Sequence, residues 1–370
     1  MVRWVVAVCL VEALAGCGGH AAPSIPAAAP DTSNARAIPA QYSIVDLGAG
    51  FQPARVNNSN EVVGQLKGFA AAYDSGKLTA LGVHTGDQYS YASDVNDAGT
   101  IVGTSGIANN THAAVFRIGR GPSLLVSERR FPWTYATAID DRGEIVGNAF
   151  LARYGGESCS VGVTFQSGRV HSVVAYGYIY HISRINEHGT VLGDAEGPSP
   201  SGHPCIGTEY GAIGYADGRV EGIPMPKNAQ GVSEGYGGIS PNGLNDNEIA
   251  VGAYGYCKTR RSSICGRAGF FFHDGELKIL YDPDMHARCV GLHAINDGNR
   301  AVGSLCAGGD RKISHAILVA PSYQIYDLNA LIPPTCGWVL EDALDINNRG
   351  AVVGTGVLDG VAHGFMLIPG

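Results

Sequence analysis

Long amphipathic stretches with helical spacing are missing from this chain, and with them any expectation of a helical core. A basic stripe is missing too: Lys and Arg are scattered, and the formal net charge is −8. Nucleic-acid binding and polybasic membrane contact both need clustered cations, so neither is expected. No HExxH, SxxK or Walker pattern occurs. No CxxC or HxxxH spacing suggests a metal centre, and no DxDxDG-like loop suggests a calcium site. The adjacent acids Glu341 and Asp342 would point to opposite faces of a strand, so they make no ready acid/base pair. No catalytic residue, metal ligand or cofactor is therefore assigned from sequence.

What is present is a repeated nine-residue phrase. Its clearest copy is INNRGAVVG, from Ile346 to Gly354. Six looser copies precede it, starting at Val56, Val95, Ile139, Ile185, Leu244 and Ile295. An apolar residue ends one strand, Asn or Asp turns the chain by bonding nearby backbone, and Gly or Asn supplies a positive φ. A short β-branched run then leaves as the next strand, and the closing Gly permits a bulge or a close backbone approach. Gly is missing from the turn in three copies, where Asn60, Glu248 and Asn299 stand. Asn tolerates the left-handed conformation, so Asn60 and Asn299 are mild departures. At Glu248 the expectation is that Asn247 takes the strained position instead.

Two more strands follow each phrase. The third begins polar then small, as in HAAVF from His112, HAILV from His315 and HGFML from His363. A turn such as DSGK (Asp74 to Lys77) or HDGE (His273 to Glu276) leads to an alternating fourth strand. Four strands per repeat, at a spacing of about 40 to 60 residues, predict the blades of a β-propeller. With 53 glycines the composition suits an all-β, turn-rich chain. The last repeat stops at Gly370 without a fourth strand, while YSIVDLG (Tyr42 to Gly48) matches the fourth strand YQIYDLN (Tyr323 to Asn329). The reading is one domain over 41–370: a seven-bladed β-propeller closed by the N-terminal strand pairing in the last blade.

INxxGxxVG, a strand opening HA-F and an xDLG strand together resemble the HAF-type extracellular repeat family over roughly residues 42 to 370. That resemblance implies an extracytoplasmic location and no known catalytic chemistry. At the N-terminus, a short apolar run with Arg3 before it reads as a signal peptide over 1–16. Leu14-Ala15-Gly16-Cys17 resembles the bacterial lipobox, which implies lipidation at Cys17; Gly18 after it implies outer-membrane sorting. Residues 17–40, rich in Ala, Pro and Ser, read as a flexible tether. A monomer held at the membrane by its lipid alone is expected, exposed at the cell surface or in the periplasm.

Strand order puts the short turns of the phrase on one face and the longer, more variable loops on the other, where recognition usually sits. Aromatics in those loops make Tyr89, Tyr91, Trp133, Tyr135, Tyr178, Tyr180, Tyr236 and Trp338 candidate ligand-binding residues; packing between blades is the competing role. The leading function is a binding scaffold for a protein or a glycan. One alternative is a polysaccharide hydrolase or lyase with its site assembled at the channel mouth from distant blades. The other is a structural or adhesive envelope protein.

Seven cysteines remain after the leader. Cys257 with Cys265, bracketing a polar loop, and Cys159 with Cys205, at equivalent places in successive repeats, are candidate disulfides. Cys289, Cys306 and Cys336 allow one further bond and leave one thiol over. His112, His315 and His363 recur at the start of the third strand, which predicts a structural bond to neighbouring backbone rather than a metal site.

Overall fold

The computed structural model describes residues 41–370 apart from 109, 127–130, 132, 155–156, 173–178, 197–208, 227–237, 258–264, 281–288, 307–313 and 335. The expected leader, Cys17 and tether lie outside the described residues. The molecule is all-β, in a β-propeller arrangement; a 3-10 turn at Leu328–Leu331 is its one helical element among the described residues.

After β1 (Tyr42–Ala49), the strands run in successive quartets. The first is β2 (Phe51–Val56), β3 (Val62–Leu66), β4 (Phe69–Asp74) and β5 (Lys77–Gly82). The second is β6 (Tyr89–Val95), β7 (Ile101–Ile107), β8 (Asn110–Arg117) and β9 (Arg120–Leu124). Next come β10 (Trp133–Ile139), β11 (Ile145–Tyr154), β12 (Glu157–Gln166) and β13 (Arg169–Ser172), then β14 (Ile179–Ile185), β15 (Val191–Glu196), β16 (Glu209–Gly214) and β17 (Val220–Gly222). The fifth quartet is β18 (Ile239–Leu244), β19 (Ala250–Cys257), β20 (Cys265–His273) and β21 (Glu276–Leu280). The sixth is β22 (Val290–Ile295), β23 (Ala301–Cys306), β24 (Ser314–Val319) and β25 (Ile325–Asp327). Finally, β26 (Trp338–Ile346), β27 (Val352–Leu358) and β28 (Val361–Pro369) pair with β1.

Hydrogen bonding corrects the expected count of seven separate sheets. Five sheets have four strands each, and the second and third quartets form one eight-stranded sheet. Their junction is a single parallel bridge, Trp133 to Thr111. β1 runs antiparallel to β28, from Tyr42 opposite Pro369 to Ala49 opposite His363.

The second strand of each quartet is apolar on both faces because both are covered. Val62, Val63, Ile101, Val102, Val302 and Val352 are all fully buried. Seven apolar clusters each join one quartet to its neighbour, and one of them sets Val353 and Met366 against Val62 and Ala71. Burial at ~25 cal/mol per Å² of apolar surface makes these interlayer faces the main favourable term.

Every phrase folds the same way. The fifth residue has positive φ in all seven copies: Asn60, Gly99, Gly143, Gly189, Glu248, Asn299 and Gly350. Glu248 itself takes the left-handed conformation, at φ 59°, which corrects the expectation that Asn247 would. The turn closes through the backbone, Glu248 N–H to Asn245 O at 3.1 Å, so it fixes φ at the fifth position whatever residue stands there. Thr190 Oγ1 also donates to Glu248 Oε1 at 3.2 Å.

The closing glycine is fixed by contact. A Cβ on Gly64, Gly103, Gly193 or Gly354 would lie 2.0 Å from a carbonyl oxygen of the paired first strand. At Gly147, Gly252 and Gly303 the same distance is 1.9, 2.1 and 1.8 Å. Opposite each glycine the first strand slips register, as between Pro53 and Arg55 or Leu292 and Ala294. These are β-bulges, one opposite each closing glycine; β14 and β26 each carry a second slip, at Ile179/His181 and Leu340/Asp342.

The recurring histidines bond side chains, not the backbone expected of them. His315 Nδ1 lies 2.7 Å from Asp327 Oδ2, and His363 Nδ1 lies 2.8 Å from Asp46 Oδ1. Asp327 and Asp46 belong to the xDL fourth strands, so this contact ties third strand to fourth. The His112 quartet has no acid in β9. The buried His315–Asp327 pair shifts both groups toward their charged forms. The Asp327 hydrogen bond raises His315 against burial; for Asp327, burial acts upward but bonds from His315 and Asn329 outweigh it.

Of the expected disulfides, Cys257 and Cys265 are directly opposed in register between β19 and β20, with their side chains outside the described residues. Cys205 and the Cys159 side chain also lie outside them. Cys289 and Cys306 are bonded, with Cα atoms 5.1 Å apart, and Cys336 is the thiol left over.

Two stability predictions follow from the phrase. Gly303→Ala is expected to cost at least about 3 kcal/mol in chemical denaturation, because backbone must move to admit the methyl group. Gly121→Ala, with open space around it, is the neutral control. Glu248→Gly is expected to gain about 0.5–1 kcal/mol by relieving the left-handed glutamate, and a lowered denaturation midpoint would refute that.

Candidate ligand-binding channel

The bulges decide what faces the centre. In each first strand the extra residue sits three places before the phrase's Asn or Asp. These residues are Ala54, Ser93, Thr137, Ser183, Asn242, His293 and Leu344, and all seven line one cavity of about 340 Å³. Pro53, Arg55, Tyr91, His181 and Arg184 complete its wall. Two bulge side chains also lock neighbouring strands: Thr137 Oγ1 donates to Ile182 O at 2.8 Å, and Asn242 Nδ2 to Leu292 O at 2.9 Å.

Two guanidinium groups stand in this wall one residue beyond a bulge. Arg55 Nη1 donates to Ala54 O at 2.5 Å and Arg184 Nη1 to Ser183 O at 2.6 Å. Neither forms an ion pair among the described residues. The same position holds Asp94 and Asp345 in the quartets flanking Arg55. Asp345 Oδ2 accepts from Val56 N–H at 2.9 Å, and Asp94 Oδ2 from Ile139 N–H at 3.0 Å, so each reaches the next quartet. Both are half-buried. Burial pushes Asp94 up to about 7 against the opposing charge of Arg55, and burial likewise raises Asp345.

Two imidazoles share the cavity, each beside an aspartate. His293 Nε2 is 3.1 Å from Asp342 Oδ1, and His181 Nδ1 is 3.4 Å from Asp194 Oδ2. Neither contact has hydrogen-bond geometry, and His293 Nε2, His181 Nδ1 and Asp342 Oδ1 are buried atoms without a hydrogen-bond partner.

The other end of the first strands forms a second, narrower mouth of about 180 Å³, lined by all seven phrases. Here the residue after each phrase Asn or Asp accepts from its counterpart. Asn58 N–H donates to Asp97, Asp97 to Asp141, Asp141 to Glu187 and Glu187 to Asp246. Asp246 donates to Asp297, Asp297 to Asn348 and Asn348 back to Asn58, which makes a cycle of seven bonds of 2.7–2.9 Å. Five of the acceptors are carboxylates. Burial, then neighbouring carboxylates, raise the pKa of Glu187 and Asp246, although backbone bonds partly offset this. Among the described residues no group of acids, histidines and cysteines is arranged to hold a metal ion.

Of the eight aromatic candidates, Tyr91 lines the cavity and is exposed. Tyr89 bonds Thr111 within its own sheet. Trp133 and Tyr135 pack edge-on against Phe150, at 6.3 and 5.7 Å between centroids. Trp338 packs edge-on against His363 and Phe365. Tyr180 is half-buried in β14, and its carbonyl accepts from Ser160 Oγ at 3.0 Å. Tyr178 and Tyr236 lie outside the described residues. Sequence reasoning missed the bulge ring, whose signal was a fixed place three residues before each phrase Asn or Asp. A GxSxG pattern, Gly231 to Gly235, also occurs, outside the described residues.

The acidic mouth makes a pH prediction. Glu187 has a folded pKa above its unfolded one, so its contribution to stability is present below about pH 4.3 and lost as pH rises through the folded value. Glu187→Gln keeps an acceptor for Asp141 N–H and removes the charge. Thermal melts should show the variant more stable by about 0.5 kcal/mol at neutral pH, with the advantage vanishing in acid. An advantage that is equal at both pH values would contradict this account.

No family model matches the chain, and no curated protein matches it. Among solved structures, it is similar to a gluconolactonase from Xanthomonas campestris at 12% identity and TM-score 0.39, covering 94% of this chain and 98% of that one. It is also similar to a putative TolB from Agrobacterium tumefaciens at 11% identity and TM-score 0.41, covering 89% and 98%. The β-propeller domain of the Trilobed protease from Pyrococcus furiosus matches at 10% identity and TM-score 0.43, covering 89% and 84%. Likenesses this distant carry no argument about function.

Proposed function

We propose that this chain is a lipid-anchored, extracytoplasmic binding protein of the HAF-type repeat class, a closed seven-bladed propeller that seats its ligand in the bulge-lined cavity. The observation that carries the reading is the convergence there of one bulge residue from every repeat. The blade count is supported by seven phrases, seven interlayer clusters and the single bridge that joins the two halves of the eight-stranded sheet. Closure is supported by β1 on β28 and by the cycle of seven turn-face bonds. Export and anchoring rest on Leu14-Ala15-Gly16-Cys17. The partner is a protein or a glycan with a protruding end, because the cavity opens on the face opposite the short turns.

A polysaccharide hydrolase or lyase is the second reading, favoured by one observation. His181 and His293 both line the cavity, each with an aspartate beside it. An imidazole so placed has the chemistry of a proton shuttle.

The test is a bulge-filling variant. Ser93→Trp places an indole in the cavity without touching the buried layers. Glycan-array and envelope-protein binding by full-length protein is expected to be lost while the thermal midpoint holds. Unchanged binding would remove the cavity as the site. New reducing ends or unsaturated products from a bound polysaccharide would favour the enzyme, and bound but intact polysaccharide the scaffold.

A further inference from the structure

The cavity has a chemical bias that narrows its ligand. Among the described residues no carboxylate lines it directly; the nearest acids are Asp94 and Asp345 beside Arg55, Asp342 beside His293 and Asp194 beside His181. The wall instead presents Arg55 and Arg184, with His181 and His293 beside them. Each guanidinium spends one N–H on the carbonyl before it and has four left. A planar fork of this kind matches a carboxylate bidentately, which an ammonium does not. The two arginines differ in their backing. Asp94 and Asp345 flank Arg55 and draw on its charge, whereas no such acid acts on Arg184 among the described residues.

The rest of the wall suits a polyhydroxylated ring. Ser93 offers a hydroxyl, and Asn242 keeps its amide oxygen free of the Nδ2 bond that anchors it. Tyr91 is exposed and gives a flat apolar platform with a polar tip. A volume of about 340 Å³ is at the small end for ligand sites, enough for one or two sugar rings and not for a peptide side.

Building on the binding reading above, we propose that the cavity takes a uronic acid, free or at the end of an acidic oligosaccharide, with Arg184 holding its carboxylate and Tyr91 its ring face. The negative chain as a whole repels such a ligand, so attraction is local to this mouth.

The experiment is calorimetric titration of full-length protein with galacturonic acid, a galacturonic acid trimer, a neutral galactose trimer and inorganic phosphate. The acidic trimer is expected to bind and the neutral one not, with affinity falling as salt rises to about 0.5 M. Arg184→Gln should weaken binding about tenfold, and Arg184→Lys should recover only part of it. A trimer that binds more tightly than the monomer identifies the oligosaccharide end as the source; equal binding identifies the free acid. Neutral sugar or phosphate binding as tightly as uronate, no uronate binding, or an unchanged Arg184→Gln titration would each overturn the inference. Neutral-sugar binding that Ser93→Trp abolishes would do so while leaving the cavity as the binding site. Should Arg184→Gln unfold, Arg184→Lys carries the test.

Discussion

A backbone approach that no side chain can share sets the geometry of this molecule. At the last glycine of every phrase, a Cβ would stand about 2 Å from a carbonyl oxygen of the neighbouring first strand, from 1.8 Å at Gly303 to 2.1 Å at Gly252. The glycine therefore lets the first strand bulge toward the second. The bulge adds one residue, and because side chains alternate with period two, the extra residue leaves the interlayer face and turns to the axis. Burial of the second strand and the lining of the channel thus depend on the same contact.

The phrase Asn works at the other end of that strand. Its oxygen accepts from its own turn, as Asn347 Oδ1 does from Ala351 N–H at 2.9 Å. Its amide nitrogen donates to the next phrase, as Asn347 Nδ2 does to Asn57 O at 2.8 Å. Six phrases make such a link: from Asn57, Asn96, Asn186, Asn245, Asn296 and Asn347. Asp140 lacks the donor, and its carboxylate is held instead by Arg142 at 2.8 Å. A bond of this kind nets about 1 kcal/mol when made and leaves a costlier orphan when one partner is lost, so the amide belt outweighs any single turn. Against it stands the ring of five carboxylates one residue further on. Each accepts a backbone N–H, and at Glu187 and Asp246 burial is the main cause of a raised pKa, opposed by that backbone bond and reinforced by the neighbouring carboxylates.

Much of this was legible. Turn chemistry and two-residue alternation located the strands, and the match of Tyr42–Gly48 to a fourth strand anticipated β1 on β28. Other parts depend on tertiary contact. Glu248 was read by local propensity, which moves the strain to Asn247, but the turn's closing bond to Asn245 fixes φ at the fifth position. The eight-stranded sheet arises from one bridge at Trp133, which no pattern encodes. Trp133, Tyr135 and Trp338 looked like ligand contacts because they sit near loops, yet their rings have partners within their own sheets: Phe150 on the adjacent strand, and His363 and Phe365 one strand further away. Exposure and packing are indistinguishable in a sequence for a residue at a strand's start.

The bulge position was visible but silent, since it is defined by what it lacks. Around it the phrase is nearly constant; at it stand Ala, Ser, Thr, Ser, Asn, His and Leu in turn. A frame that repeats and a position that does not are what a ring needs to present an asymmetric site from symmetric parts. The next residue is as variable and supplies the charges: Arg55 and Arg184 at one side, Asp94 and Asp345 around Arg55. The far mouth carries five carboxylates and the near one none among the described residues. The two mouths therefore differ in what lines them: carboxylates at the far one, and at the near one two guanidinium groups, with Asp94 and Asp345 flanking Arg55.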